Sequence, residues 1–137
     1  MSAAGQGGAH LFRLRVYYED TDLAGIVYYA NYLKFIERAR TEALIARGID
    51  QAALRDEQGI VFAVRRVVAD YLAPARFQDE LEVATATGAI AGARVTLCQE
   101  VARAGALLFR AEVTIVCLGA DGRPQRLPPA VRAALAP

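Results

Sequence analysis

Apolar and polar residues alternate over residues 11–18. Phe12, Leu14, Val16 and Tyr18 fall on one side, Arg13, Arg15 and Tyr17 on the other. A period of two marks a half-buried strand, and continuing it puts Asp20 on the inward side. The period then changes. Tyr32, Phe35, Ile36, Ala39 and Ala43 recur at helical spacing between an Asn31 N-cap and a Gly48 stop. This predicts a helix running to about Arg47. Its stripe is aromatic at one end and small at the other, which lets a sheet approach closely. Arg38 and Glu42 stand four apart on the exposed side, a pair worth only a few tenths of a kcal/mol.

From residue 59 onward the pattern is strand-like. A Val-rich run over 59–72 ends at Pro74, and further runs cover 79–88, 93–103 and 106–118. Turn signals separate them at 88–92, at Ala104-Gly105 and at Asp121-Gly122. Short turns between consecutive strands imply antiparallel pairing. The expected order is therefore a strand, a long helix and four strands in a meander, an α+β arrangement with one helix covering one sheet. A last helical turn over 128–136 would start at Pro128-Pro129. The Gly/Ala-rich residues 1–10 read as a flexible leader, and 11–137 as a single domain.

Composition narrows the function classes. Hydrophobic residues make up 55% of the 137 and charged residues 23%, as in a globular domain. The net charge of +1 argues against broad nucleic-acid binding, which needs a strong basic field. Six arginines (94, 103, 110, 123, 126, 132) face three acids from residue 91 on. They form either an anion-attracting region or a solvated surface. Cys98 and Cys117 lie in apolar runs without a CxxC partner, as small buried hydrophobes in a reducing compartment do. The sole histidine, His10, sits beside the leader, so neither a zinc site nor a Ser-His-Asp or Cys-His nucleophile is expected. The start of the chain lacks a signal-peptide pattern, and no apolar run is long enough to span a bilayer. A cytoplasmic protein without metal or cofactor is the expectation.

Candidate chemistry concentrates in one stretch, Tyr17-Tyr18-Glu19-Asp20-Thr21-Asp22-Leu23-Ala24-Gly25-Ile26-Val27-Tyr28-Tyr29-Ala30-Asn31-Tyr32. Carboxylates at an apolar edge are costly to bury unpaired. Glu19 reads as solvated loop. Asp22, three residues before Gly25, is placed to act as a general base on water or as a nucleophile toward an acyl carbon. An acidic loop alone is commonly just solvated surface. The helix start that follows offers free N–H groups and a positive dipole end, which stabilise an oxyanion when aimed at a carbonyl. Tyr32 reads as packing. Tyr28 and Tyr29 are either packing or the wall of an acyl pocket. Arg65, Arg66 and Arg94 are the candidates for binding an anionic part of the substrate; Arg65-Arg66 interrupts an apolar strand, so one of the two must turn inward or find a partner, an acid such as Asp70 or Glu82. Arg94 follows a glycine turn and is a candidate for a coenzyme A phosphate. Neither GxGxxG nor a P-loop is present.

The Asp-Thr-Asp-x-x-Gly-x-Val-Tyr core resembles the active-site signature of the 4-hydroxybenzoyl-CoA thioesterase branch of hotdog-fold enzymes. Val64-Arg65-Arg66, Tyr71-Leu72-Ala73-Pro74-Ala75-Arg76-Phe77-Gln78-Asp79 and Arg123-Pro124-Gln125-Arg126-Leu127-Pro128 look like further segments of that family, so the resemblance covers nearly everything from residue 11. Glu37-Arg38-Ala39-Arg40-Thr41-Glu42, with Tyr17 to Asp22, is most similar to the branch of acyl-CoA thioesterases associated with the Tol–Pal system. The resemblance implies a hotdog fold, an antiparallel sheet wrapped round one long helix, and hydrolysis of acyl-CoA thioesters. It implies Asp22 as the catalytic carboxylate, with Asp20 supporting it. The Tyr29 N–H would polarise the thioester carbonyl, with Gly25 permitting close approach. Many relatives carry His at position 29; a main-chain N–H does not need that side chain. The resemblance further implies a homodimer or homotetramer with sites at subunit interfaces. Two rival readings are a thioesterase acting on acyl carrier protein, mildly disfavoured by the near-neutral charge, and a noncatalytic acyl-CoA-binding or interaction module. An intact Asp22 argues against the second.

Overall fold

The computed structural model describes residues 8–137. The expected leader thus lies mostly outside the described residues, and its last residue, His10, already opens a strand. In chain order the elements are β1 (His10–Arg15), a 3₁₀ turn (Tyr18–Asp20), α1 (Asn31–Ala46), α2 (Gln51–Gln58), β2 (Val61–Tyr71), β3 (Glu80–Ala91), β4 (Arg94–Arg103), β5 (Ala106–Leu118) and α3 (Pro129–Leu135). The strands form one antiparallel sheet in the order β1-β3-β4-β5-β2. The α+β architecture is as expected, but the meander has three strands rather than four. Residues 72–79, broken by Pro74, are too many for a tight hairpin, so β2 pairs with β5 at the far edge. The chain then crosses the ends of β5 and β4 to reach β3. Arg103, the last residue of β4, holds that crossing by donating to Asp79 Oδ2 (2.7 Å) and to the Pro74 carbonyl (3.3 Å).

The stripe predicted for α1 is buried in full: Tyr32, Phe35, Ile36, Ala39 and Ala43, with Leu44. Its partners are inward residues of the sheet, among them Leu81, Val83, Val95, Phe109 and Val113. Large side chains buried this way are worth about 1.5–3 kcal/mol each, against about 0–1 kcal/mol for a surface ion pair. Packing therefore sets the position of α1. Among the described residues no ion pair joins Arg38 to Glu42. The N-cap is Ala30 rather than Asn31. Asn31 is the first helical residue, and its amide reaches back to the Asp20 carbonyl (2.9 Å).

Two further departures have local causes. α2 falls outside the periods read above, because it is eight residues long, buries none fully and sets only Leu54 against the core. Its ends were nonetheless legible. Asp50 caps it by accepting from the Ala53 N–H (3.0 Å), and Gly59 closes it at φ 66°, where an added Cβ would meet Ala120 at 2.8 Å. The Arg65-Arg66 problem is resolved by a bulge. The β2 register slips between Val64 and Arg66, so both arginines face outward. Neither is ion-paired among the described residues; Glu82 is held instead by Arg13 (3.4 Å). Cys117 is buried and Cys98 half-buried, both as free thiols, and burial pushes both pKa values up. No helix among the described residues is long and apolar enough to cross a membrane.

Candidate active site

The strand alternation stops at Val16, because Asp20 closes a turn. Its carboxylate accepts the Tyr17 N–H (2.8 Å), and the Thr21 hydroxyl donates to the Tyr18 carbonyl (2.7 Å). The turn swings Tyr18 outward, edge-on to Phe77 at 6.2 Å, so the expected inward placement of Tyr18 does not hold. The Asp20 carbonyl also accepts from the Tyr28 N–H (2.9 Å) and from Asn31. Asp20 therefore ties together both arms of the loop and the start of α1.

Asp22 sits inside a small closed loop. Its N–H donates to the Ile26 carbonyl (2.9 Å), and its own carbonyl accepts from Gly25 (3.0 Å). Gly25 has φ 80°, a left-handed conformation that a side chain resists. An added Cβ there would meet nothing within 4 Å, so it is the turn that requires glycine, not crowding. Val27 N–H donates to the Ala75 carbonyl (2.8 Å), which stitches the loop onto the 72–79 crossing. Asp22 Oδ1 accepts the Ala24 N–H (2.9 Å). The second carboxylate oxygen has no hydrogen-bond partner among the described residues.

That carboxylate borders a pocket of about 390 Å³ lined by Ile26, Val27, Tyr28, Tyr29, Tyr32, Tyr71, Leu72, Ala73 and Pro74. The aromatic wall is continuous. The rings of Tyr28 and Tyr29 lie 4.9 Å apart and those of Tyr29 and Tyr71 6.2 Å apart, while Tyr32 stacks on Phe109 at 4.9 Å. Tyr32 is buried, as its reading as packing required, and its hydroxyl accepts the Ala75 N–H (3.1 Å). The neighbouring Tyr29 phenol, then burial and the Asp22 charge, push the Tyr28 pKa up. Burial raises those of Tyr32 and Tyr71. All three phenols are thus neutral at physiological pH. The Tyr29 N–H, at the entrance to α1, donates to no acceptor among the described residues. The Tyr28 carbonyl of the same peptide accepts from Asn31 N–H (2.8 Å), which fixes the direction of the free N–H.

Asp22, Gly25, Tyr28 and Tyr29 thus come together, and Arg65 and Arg94 do not join them within one chain. Tyr71 marks the pocket on β2 and pairs with Phe109 on β5. Arg65 lies six residues before Tyr71, roughly 20 Å along the strand at about 3.3 Å per residue. Arg94 pairs with Val116, seven residues past Phe109, or roughly 23 Å. Sequence reading missed Tyr71, Leu72, Ala73 and Pro74 as a pocket wall; the local signals were Pro74 ending a strand and the family-like run from Tyr71 to Asp79, neither of which pointed to a pocket. A larger hollow of about 530 Å³ lies over Arg13, Arg15, Glu80 and Glu82. Its charges are already matched as Arg13–Glu82 and Arg15–Glu80 pairs (3.4 and 2.6 Å), so it offers less chemistry than the smaller pocket. No cluster of three or more His, Cys, Asp or Glu among the described residues could hold a metal ion.

An antiparallel sheet against one long helix, with a loop carboxylate and the helix entrance on one apolar pocket, defines a hotdog-type domain. Residues 16–135 match the thioesterase-like superfamily, and the chain belongs to that family. It is similar to the acyl-CoA thioester hydrolase YbgC of Escherichia coli, with 42% identity over 125 residues, 88% of this chain and 92% of that one. Among solved structures it resembles a probable thioesterase from Bartonella henselae. There the TM-score is 0.84 and the identity 34%, over 88% of this chain and 99% of that one. A 4-hydroxybenzoyl-CoA thioesterase mutant complexed with 4-hydroxybenzoyl-CoA shares the fold, with TM-score 0.89 and 22% identity over 95% of this chain and 100% of that one. The expected hotdog fold is thereby established.

Proposed function

We propose that the protein hydrolyses acyl-CoA thioesters to a free acid and coenzyme A, using Asp22 and the Tyr29 N–H. One observation carries this reading. A carboxylate with an uncommitted oxygen and a helix-entrance N–H without an acceptor border the same apolar pocket. As general base, Asp22 takes a proton from water while the water oxygen attacks the thioester carbonyl carbon. As nucleophile, it attacks that carbon itself, and water then cleaves the mixed anhydride. Either way negative charge grows on the carbonyl oxygen, where the Tyr29 N–H and the positive end of α1 stabilise it. The C–S bond breaks and the coenzyme A thiolate takes up a proton. Tyr28 and Gly25 border the acyl group. Arg65 and Arg94 meet coenzyme A phosphates only across a subunit boundary, so the reading includes an oligomer of at least two chains. By resemblance we assign the work to the cytoplasm and to the Tol–Pal-associated branch.

The test is steady-state hydrolysis of a panel of acyl-CoAs, read with a thiol reagent. Asp22→Asn keeps size and shape but loses charge and basicity, and turnover should fall by roughly 10²-fold or more. Asp20→Asn keeps an acceptor for the Tyr17 N–H and should be milder. A folded Asp22→Asn protein with near wild-type turnover refutes the assignment. Turnover only on acyl carrier protein would favour the rival enzyme, and binding without turnover would favour the noncatalytic module.

A further inference from the structure

Tyr71 ends β2 and touches the entrance of α1 from the opposite side of the pocket. Its hydroxyl donates to the Tyr29 carbonyl at 2.9 Å. No backbone N–H does so among the described residues: Leu33 N–H goes to Ala30, and Asn31 N–H to Tyr28. The Tyr71 ring packs edge-on against Tyr29, Tyr32 and Phe109 at 6.2, 5.4 and 5.1 Å. The phenol is therefore held from three sides while its oxygen reaches a single carbonyl.

We infer that Tyr71 is a positioning residue for acyl transfer, its hydroxyl clamping the Tyr29 carbonyl and so setting the residue whose N–H receives the oxyanion. The inference rests on the function proposed above. Tyr29 lies between two peptide planes. Asn31 fixes the one before it through the Tyr28 carbonyl, and Tyr71 fixes the one after it. With both planes held, Tyr29 cannot rotate its N–H away as charge develops, which is the preorganisation an oxyanion site needs. The same hydrogen bond polarises the 29–30 peptide, so the Ala30 N–H becomes a stronger donor beside that of Tyr29. Burial raises the Tyr71 pKa, which keeps the proton on the hydroxyl across the neutral range.

Tyr71→Phe keeps the ring and its three aromatic contacts and removes only the hydroxyl. With an acyl-CoA that the wild type hydrolyses, kcat should drop roughly three- to tenfold, the worth of one hydrogen bond. KM should stay within about twofold, since the pocket wall is intact. Tyr71→Leu also removes the wall, so KM should rise as well. A readout independent of turnover is the Ala30 amide in ¹H–¹⁵N spectra, whose nitrogen should shift upfield in Tyr71→Phe. Wild-type kcat in Tyr71→Phe, a loss confined to KM, or an unmoved Ala30 amide would each overturn the inference. Normal turnover in Tyr71→Phe beside a crippled Asp22→Asn would sink the positioning role alone. A wild type inactive toward every acyl-CoA would sink the proposed function and this role with it.

Discussion

Asp79 shows what a side chain does when it anchors a site without entering it. Burial alone pushes its carboxyl up. The Arg103 hydrogen bond (2.7 Å), the Arg76 N–H (2.8 Å) and the charges of both arginines outweigh that and hold it below the usual range. A depressed folded value means stability that is present above the ordinary carboxylate pKa, about 3.9, and lost as pH falls through the folded value. Both groups are partly exposed, so water screens the pair and the contribution at neutral pH is about 1–2 kcal/mol. Asp79→Asn should therefore melt below wild type at pH 7, and the gap should narrow as pH drops below 4. Melts showing the same gap at pH 3 as at pH 7 would rule the ion pair out as its source. This clamp was invisible in sequence because its partners are 24 residues apart. The loop that brings the candidates Asp22, Gly25 and Tyr29 together was legible for the opposite reason. The three lie within eight residues, so a local motif carries their geometry. Tyr71 is 42 residues from the carbonyl it holds, and no local pattern connects them.

Helix and strand periods revealed most elements, because burial on one face imposes the period. They say nothing about a polar residue on that face. Gln99 on β4 is fully buried, and its amide joins three elements. It accepts from Arg40 of α1 (3.0 Å) and donates to the Ile36 carbonyl of α1 (2.8 Å) and the Thr85 hydroxyl of β3 (2.9 Å). In the sequence it is one more polar residue in an alternating run. Burial lowers the Arg40 pKa despite the opposing pull of Glu37, so the guanidinium sits where its charge is costly. Gln99→Leu would strand that cation and the Thr85 hydroxyl, at a cost of about 2–4 kcal/mol. Adding Arg40→Leu removes the stranded charge and should recover part of the loss. Urea unfolding of Gln99→Leu, Arg40→Leu and the double variant measures it; a double variant less stable than the sum of the two single changes would contradict this account of how α1 is held to the sheet. The same blindness of periodicity hid α2, which sets only Leu54 against the core, and the switch of β2 to the far edge. Hydrophobic pattern specifies which face is buried, not which neighbour a strand chooses.

At the scale of the whole chain, β2 is the part that a single copy leaves unfinished. It is 11 residues long and lies at the sheet edge, paired only with β5. Val61, Val64, Val67, Val68 and Tyr71 along it are exposed, and Leu72 follows them. Soluble proteins blunt such edges with short strands, lysines or prolines. This one has a bulge and three exposed charges, Arg65, Arg66 and Asp70, and otherwise offers valines and Tyr71 to water. An apolar edge of that length is stable against aggregation when another chain covers it, most simply a second copy related by two-fold symmetry. The same edge ends at Tyr71, beside the pocket, so in the oligomer proposed above a partner seated on it is the source from which Arg65 or Arg94 would reach coenzyme A. Light scattering at micromolar concentration should give at least twice the single-chain mass. Val64→Glu with Val68→Glu places like charges on the contact and should lower the mass to that of one chain. If the wild type already scatters as a monomer, the shared interface is wrong, and Arg65 and Arg94 lose their route to coenzyme A.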